Sequence, residues 1–153
     1  MNDNANIVIE RTYAAQPEEL WGLWTTKAGF ESWWGPQGFH TDVRRIEARQ
    51  DGALHYDMVE EAKLDRPPSQ GIRGTFSEFK PHERLVLTQI IDFLPGVEPY
   101  NSTIVVEFFP AGEGRVRMVV TLWPMHDAET SGMQKEGFLS QLSKLDERYG
   151  WKG

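Results

Sequence analysis

Between Phe39 and Trp123 the chain runs through short stretches of alternating apolar and polar residues, and after Pro124 it changes to one long helical pattern. Alternation with a period of two makes strands with a wet face and a dry face, and the dry face must be covered. The last segment supplies the cover. Phe138, Leu142, Leu145 and Tyr149 fall on one stripe, with Leu139 beside it, in a helix predicted from Ala128 to Tyr149. A sheet with a long helix packed against one face follows from these two patterns together.

The alternating stretch divides into six predicted strands: Phe39–Arg49, Ala53–Glu60, Gly71–Lys80, Leu85–Ile91, Ser102–Phe109 and Arg115–Trp123. Asp51-Gly52 is a hairpin signal, because both residues tolerate the positive φ such turns need. Glu61–Gln70, with Pro67-Pro68, and Asp92–Asn101, with Pro95-Gly96, read as loops, and Pro81–Arg84 reads as a turn. Ahead of these lies Ile7–Tyr13, β-branched and aromatic, a further strand. Pro17 suits the first position of a helix, and Glu18 and Glu19 suit its positively polarised first turn. That helix ends at Thr25-Thr26, and a second short one is predicted from Lys27 to Trp34, stopped by Gly35-Pro36. Asp127 is placed to cap the long helix and Gly150 to end it. Hairpin connections imply an antiparallel sheet. The predicted class is α+β: about six or seven strands around a C-terminal helix, in one domain over residues 1–153 with a disordered tail at 1–6.

Charge and composition narrow the function. Sixteen basic against 23 acidic residues give a net charge of −7, which repels phosphate backbones, and no dense basic stripe offsets it. Nucleic acid is therefore not an expected partner. No apolar run approaches the roughly 20 residues of a membrane helix, and the start lacks the basic and apolar regions of a secretory signal, so a cytoplasmic location is expected. There is no cysteine, which excludes disulfides and thiolate metal sites.

Chemistry-bearing motifs are few. His40, His55, His82 and His126 show no metal-ligand spacing, and no serine has an evident histidine partner in a nucleophile motif. Neither a cofactor nor a metal is expected, and no catalytic residue is assigned. Glu107 would be a candidate acid or base only if it pointed inward, and the strand pattern favours the solvated face. His82 reads as a turn residue and His55 as an outer-face one, while His126 stands where a pocket mouth could form.

Several ordered segments resemble the activator of heat-shock-protein-90 ATPase homologue-like family of the START-like, or helix-grip, superfamily. They are Arg11-Thr12-Tyr13-x-Ala15, Pro17 through Leu20-Trp21-x-Leu23-Trp24-Thr25, and Phe30-x-x-Trp33-Trp34-Gly35-Pro36. Further on come Asp51-Gly52-x-Leu54-x-Tyr56-x-Met58, Gly74-x-Phe76-x-Glu78-Phe79-x-Pro81-x-x-Arg84-Leu85, and Glu136-Gly137-Phe138 through Leu142-x-x-Leu145. Phe138 departs from the pattern, standing where the family often has tryptophan, and the loop around Pro67-Pro68 is longer than typical. The resemblance implies a curved sheet gripping the C-terminal helix, with a cavity between them.

Given such a cavity, strand alternation directs Leu54, Tyr56, Met58 and Phe76 toward it, together with Met118, Val120 and Leu122. Met133, Phe138 and Gln141 would face them from the helix, and Trp33 or Trp34 would reach the rim. Tyr56, Thr88 and Gln141 are the expected inward polar groups. Six tryptophans in so short a chain, with adaptable methionines, suit an apolar or aromatic ligand, and the resemblance implies one of lipid- or polyketide-like character. A solid core is the plainer alternative for the same residues. Two other functions stand beside ligand binding: a cyclase or hydrolase acting on aromatic substrates, and a module that docks on a chaperone. A homodimer is also consistent with the resemblance.

Overall fold

In the computed structural model, which describes residues 6–60, 71–92 and 96–151, seven strands form one antiparallel sheet. The elements follow as β1 (Ile7–Tyr13), α1 (Pro17–Thr25), α2 (Lys27–Glu31), β2 (Phe39–Ile46), β3 (Ala53–Glu60) and β4 (Ile72–Lys80). Then come β5 (Arg84–Ile91), β6 (Tyr100–Pro110), β7 (Val116–Leu122) and α3 (Ala128–Tyr149). From β2 to β7 each strand pairs with its sequence neighbour, but β1 pairs with β7. The first two strands are thus the two edges, and α1 and α2 carry the chain from one edge to the other. This is the α+β helix-grip arrangement expected above.

Two register shifts, between Val43 and Arg45 and between Phe76 and Glu78, put extra residues into β2 and β4. Bulges of this kind bend a strand and increase its twist, so they help to make one sheet face concave. α3 lies on the concave side. It starts at Asp127, whose carboxylate accepts from Thr130 N–H at 2.7 Å, and ends at Gly150 in the left-handed conformation at φ 68°. Leu54, Phe76, Leu85, Leu87 and Met118 on the sheet are fully buried, as are Leu142 and Leu145 on α3. Each such side chain contributes roughly 1.5–3 kcal/mol on leaving water. Tyr13 and Arg11 tie β1 to the same helix through Asp146, at 2.6 and 3.1 Å. Among the described residues no helix is long and apolar enough to cross a membrane.

The structure departs from the sequence reading in its connections. α2 ends at Glu31, where the Ser32 hydroxyl donates to Gly29 C=O at 2.6 Å, so Trp33 and Trp34 lie in the following turn. Off the helix, adjacent residues need not diverge, and both rings are buried. β2 stops at Ile46, three residues early. Asp51-Gly52 belongs to the connection from Glu47 to Gly52 and does not form a two-residue turn. The chain folds back tightly there: a Cβ on Gly52 would lie 2.0 Å from the Glu47 carbonyl oxygen. β6 begins two residues early, because Tyr100 and Asn101 pair with Ile91 and Ile90. The predicted loop around Pro67-Pro68 and the first five residues of the predicted tail lie outside the described residues.

Candidate functional site

α3 presents two different surfaces to the sheet. Its C-terminal half offers the apolar stripe of Phe138, Leu142, Leu145 and Tyr149. A second stripe, starting nearer its N-terminus and overlapping the first, offers Thr130, Gln134, Gly137 and Gln141, spaced four, three and four residues apart, all polar or without a side chain. Helical residues at these spacings share a face. Short polar side chains fill the concavity less completely than leucines do, and a cleft of about 310 Å³ is left there. That is at the small end of the range for ligand sites, roughly 300–1,000 Å³.

The strands close the other side of this cleft. Tyr56 and Met58 come from β3, Ile72 from β4, Gln89 and Ile91 from β5, and Ser102 and Ile104 from β6. Trp34 and Pro36 form one end, and Met125 and Met133 stand toward the other. Met133 is 60% exposed, which places it at the mouth. Behind Trp34, an aromatic cluster blocks the rest of the concavity: Trp24 packs edge-on to Trp33 and Trp34 at 5.0 and 5.4 Å and stacks on Phe138 at 6.4 Å.

Among the described residues the lining is uncharged. Its polar groups form two sets. On the sheet side, the Tyr56 hydroxyl accepts from the Gln89 amide and from the Trp34 indole. Burial pushes this phenol up to about 12, so it stays neutral and retains its proton. On the helix side, Gln141 Oε1 accepts from Gly35 N–H at 2.9 Å. A backbone N–H can only donate, so this contact fixes the amide's orientation and leaves Nε2 as its other end. Among the described residues that Nε2 is buried and has no partner, and the same holds for Gln134 Oε1. At the rim, His126 is held between the Tyr100 hydroxyl at 3.0 Å and Thr130 Oγ1 at 3.4 Å.

Such walls can hold an uncharged molecule by burial and orient it through neutral hydrogen bonds. Among the described residues, they carry no carboxylate, histidine or basic side chain to move a proton. Glu107 points to the convex face, where it pairs with Arg84 at 3.0 Å. Among the described residues no cluster of histidine and carboxylate side chains could hold a metal.

Of the residues predicted to line a cavity, Trp34, Tyr56, Met58, Met133, Phe138 and Gln141 meet at this cleft. Trp33, Leu54, Phe76, Met118, Val120 and Leu122 do not: they are buried in the close-packed remainder of the concave face. Alternation identifies the inward face but not how far along it the filling extends. Thr88 points the other way, onto the convex face, with its hydroxyl 2.9 Å from that of Ser77. The inward polar residue of β5 is its neighbour Gln89, in phase with buried Leu85, Leu87 and Ile91. A polar residue on the inward phase of an apolar strand was the available signal, and Ser102, in phase with Ile104 and Val106 on β6, repeats it. Gln134 and Gly137 were legible in the same way, as polar or bare positions on a helix face directed at the sheet.

The model of the family described as Activator of Hsp90 ATPase homolog 1-like protein matches residues 14–150. A crystal structure of a protein from Chromobacterium violaceum is similar, with a TM-score of 0.80 at 21% identity over 95% of this chain and 96% of that one. A crystal structure of an AHSA1 protein from Silicibacter pomeroyi gives 0.76 at 23% identity, covering 94% and 96%. A third, from Nitrosomonas europaea, gives 0.73 at 18% identity, covering 96% and 95%. At these identities the likeness is one of fold. No curated protein matches the chain significantly.

Proposed function

The chain belongs to the Activator of Hsp90 ATPase homolog 1-like family, and on that premise we propose that it binds a small apolar or aromatic molecule between the concave sheet and the N-terminal half of α3. One observation carries this reading: along the same concave face, close packing ends where α3 turns Thr130, Gln134, Gly137 and Gln141, rather than leucines, toward the sheet. Around the resulting cleft stand Trp34, Ile72, Ile91, Ile104 and three methionines, whose burial of a ligand supplies roughly 25 cal/mol per Å². The flexible thioethers of Met58, Met125 and Met133 suit a site that adapts to ligand shape. Binding, rather than turnover, is the role that uncharged walls support.

The test is a thermal-melting and tryptophan-fluorescence screen of the purified protein against lipids, flavonoids and polyketide-like aromatics, with Trp34 as the reporter at the cleft. A ligand that binds only the folded state, at 100 times its dissociation constant, adds roughly 2.7 kcal/mol of stability. A saturable shift that disappears when Gly137→Leu fills the cleft supports the proposal. A broad panel without any shift contradicts it.

A further inference from the structure

We propose that the molecule taken by this cleft is uncharged and has two functional ends: a hydrogen-bond acceptor that meets Gln141 Nε2 and a hydroxyl-type group, able to donate or accept, that meets the buried end of the Gln134 amide, joined by a flat apolar body. The inference rests on the ligand-binding reading above and specifies its chemistry.

Three observations lead to it. The first is the pair of orphaned amide atoms. Gln141 is 4% exposed, its oxygen is engaged by Gly35, and its Nε2 lies buried at the cleft without a partner. Two turns earlier on the same face, Gln134 Oε1 is buried and also unpartnered. Buried polar groups of native proteins almost always have partners, and each one left without is destabilising, so a ligand that supplies both partners gains affinity at both ends. The seven-residue separation puts the two positions roughly 10 Å apart along the helix. A substituted aromatic bicycle spans that length.

The second observation is Gly137, midway between the two glutamines. A Cβ there would meet nothing nearer than Pro36 Cγ, at 3.9 Å. Without a side chain, this part of the helix leaves a low wall beside the Phe138 ring, which suits the face of an aromatic body. The third is charge. Among the described residues, no Asp, Glu, Lys, Arg or His belongs to the lining. A carboxylate or ammonium group would lose its hydration there with no counter-charge in return, which is far more costly than burying a neutral carbonyl or hydroxyl.

The experiment is calorimetric titration with four probes of one skeleton: naphthalene, acetylnaphthalene, an acetylnaphthol with its two groups at opposite ends, and naphthoate. The acetylnaphthol should bind tightest, with roughly a tenfold loss on removing the hydroxyl and another on removing the acetyl group. Naphthoate should be at least about tenfold weaker than acetylnaphthalene. Gln141→Leu removes the donor without placing a charge in the lining, so it should erase the advantage of the acetyl group. Gln134→Leu, at a half-buried position, should erase the advantage of the hydroxyl, so that acetylnaphthol and acetylnaphthalene bind it equally. Melting curves of both variants verify that they fold. Equal affinity for all four probes, or preferences that survive both substitutions, would overturn this inference while leaving the ligand-binding reading intact. Binding of no probe to the unsubstituted protein would overturn both.

Discussion

The Gln141 side chain and the Gly35 backbone, 106 residues apart in sequence, are joined by a hydrogen bond of 2.9 Å that fixes the orientation of the Gln141 amide. α3 holds this peptide on its other side as well, since Lys144 Nζ donates to Gly35 C=O at 2.8 Å. The chain can present both groups because Gly35 sits at φ 99°, outside the region open to other residues. The turn after α2 and the helix that forms the cleft are thus locked together at one glycine.

Breaking that lock should be measurable as lost stability. Gly35→Ala places a Cβ in a disfavoured conformation and should cost about 1–3 kcal/mol in urea unfolding. Gln141→Leu leaves the buried Gly35 N–H without its acceptor and should cost a similar amount, about 1–3 kcal/mol. A loss well below 1 kcal/mol in both variants would show that the contact is incidental.

The other end of α3 has its own attachment. Arg11 Nε and the Tyr13 hydroxyl both donate to Asp146, and the Arg11 guanidinium also lies 3.9 Å over the Trp151 ring. The Arg11 and Asp146 side chains are only 14% and 18% exposed. Asp146→Ala strands both donors and should cost about 3 kcal/mol, whereas Tyr13→Phe removes one donor and should cost about 1 kcal/mol. Equal effects would mean that Arg11 does not depend on the carboxylate.

Gly137 should report on stability and on the cleft separately. It sits in the middle of a helix, and a methyl group there meets only ordinary contact with Pro36. Gly137→Ala should therefore raise stability by about 0.5–1 kcal/mol. Gly137→Leu should fold and yet lose ligand-induced stabilisation, because its side chain occupies the cleft. Unchanged ligand shifts in the leucine variant would place any binding site elsewhere.

Alkaline stability offers a further test. All four tyrosines hold their protons above the ordinary value of 10: Tyr13 by burial and the Asp146 carboxylate, Tyr100 by burial, and Tyr56 and Tyr149 at about 12. Burial is the main cause for Tyr56, and burial with the Glu19 carboxylate for Tyr149. Raised folded-state values mean that this stabilisation is complete below pH 10 and is lost as pH rises toward 12 and beyond. Phenolate absorbance of the native protein should lag behind that of the urea-unfolded chain, and should rise together with unfolding. Titration near 10 in the native state, without loss of structure, would contradict these environments.

The fold was legible because its two periodicities do not overlap. Period-two alternation ran from Phe39 to Trp123, and period 3.6 from Ala128 onward, with Asp127 and Gly150 marking the helix ends. The cleft was only half legible. Alternation names an inward face, and Tyr56 and Met58, on that face of β3, line the cleft. It cannot show where packing stops, which depends on the Trp24, Trp33 and Phe138 rings contributed from distant parts of the chain. Thr88 and Gln89 show the second difficulty: a slip of one residue exchanges the faces of a strand. The bulge after Phe76 likewise shifts the phase of the last residues of β4.

Methyl resonances of methionine locate a ligand most directly. Met58, Met125 and Met133 stand at the cleft, while Met118 is fully buried in the close-packed core. Titrating acetylnaphthalene into protein labelled at the methionine methyl carbons should move the Met58, Met125 and Met133 signals along one saturable curve and leave Met118 in place. Saturable shifts at Met118 with the other three unmoved, or no saturable shift at any of them, would contradict a binding site between the sheet and the N-terminal half of α3.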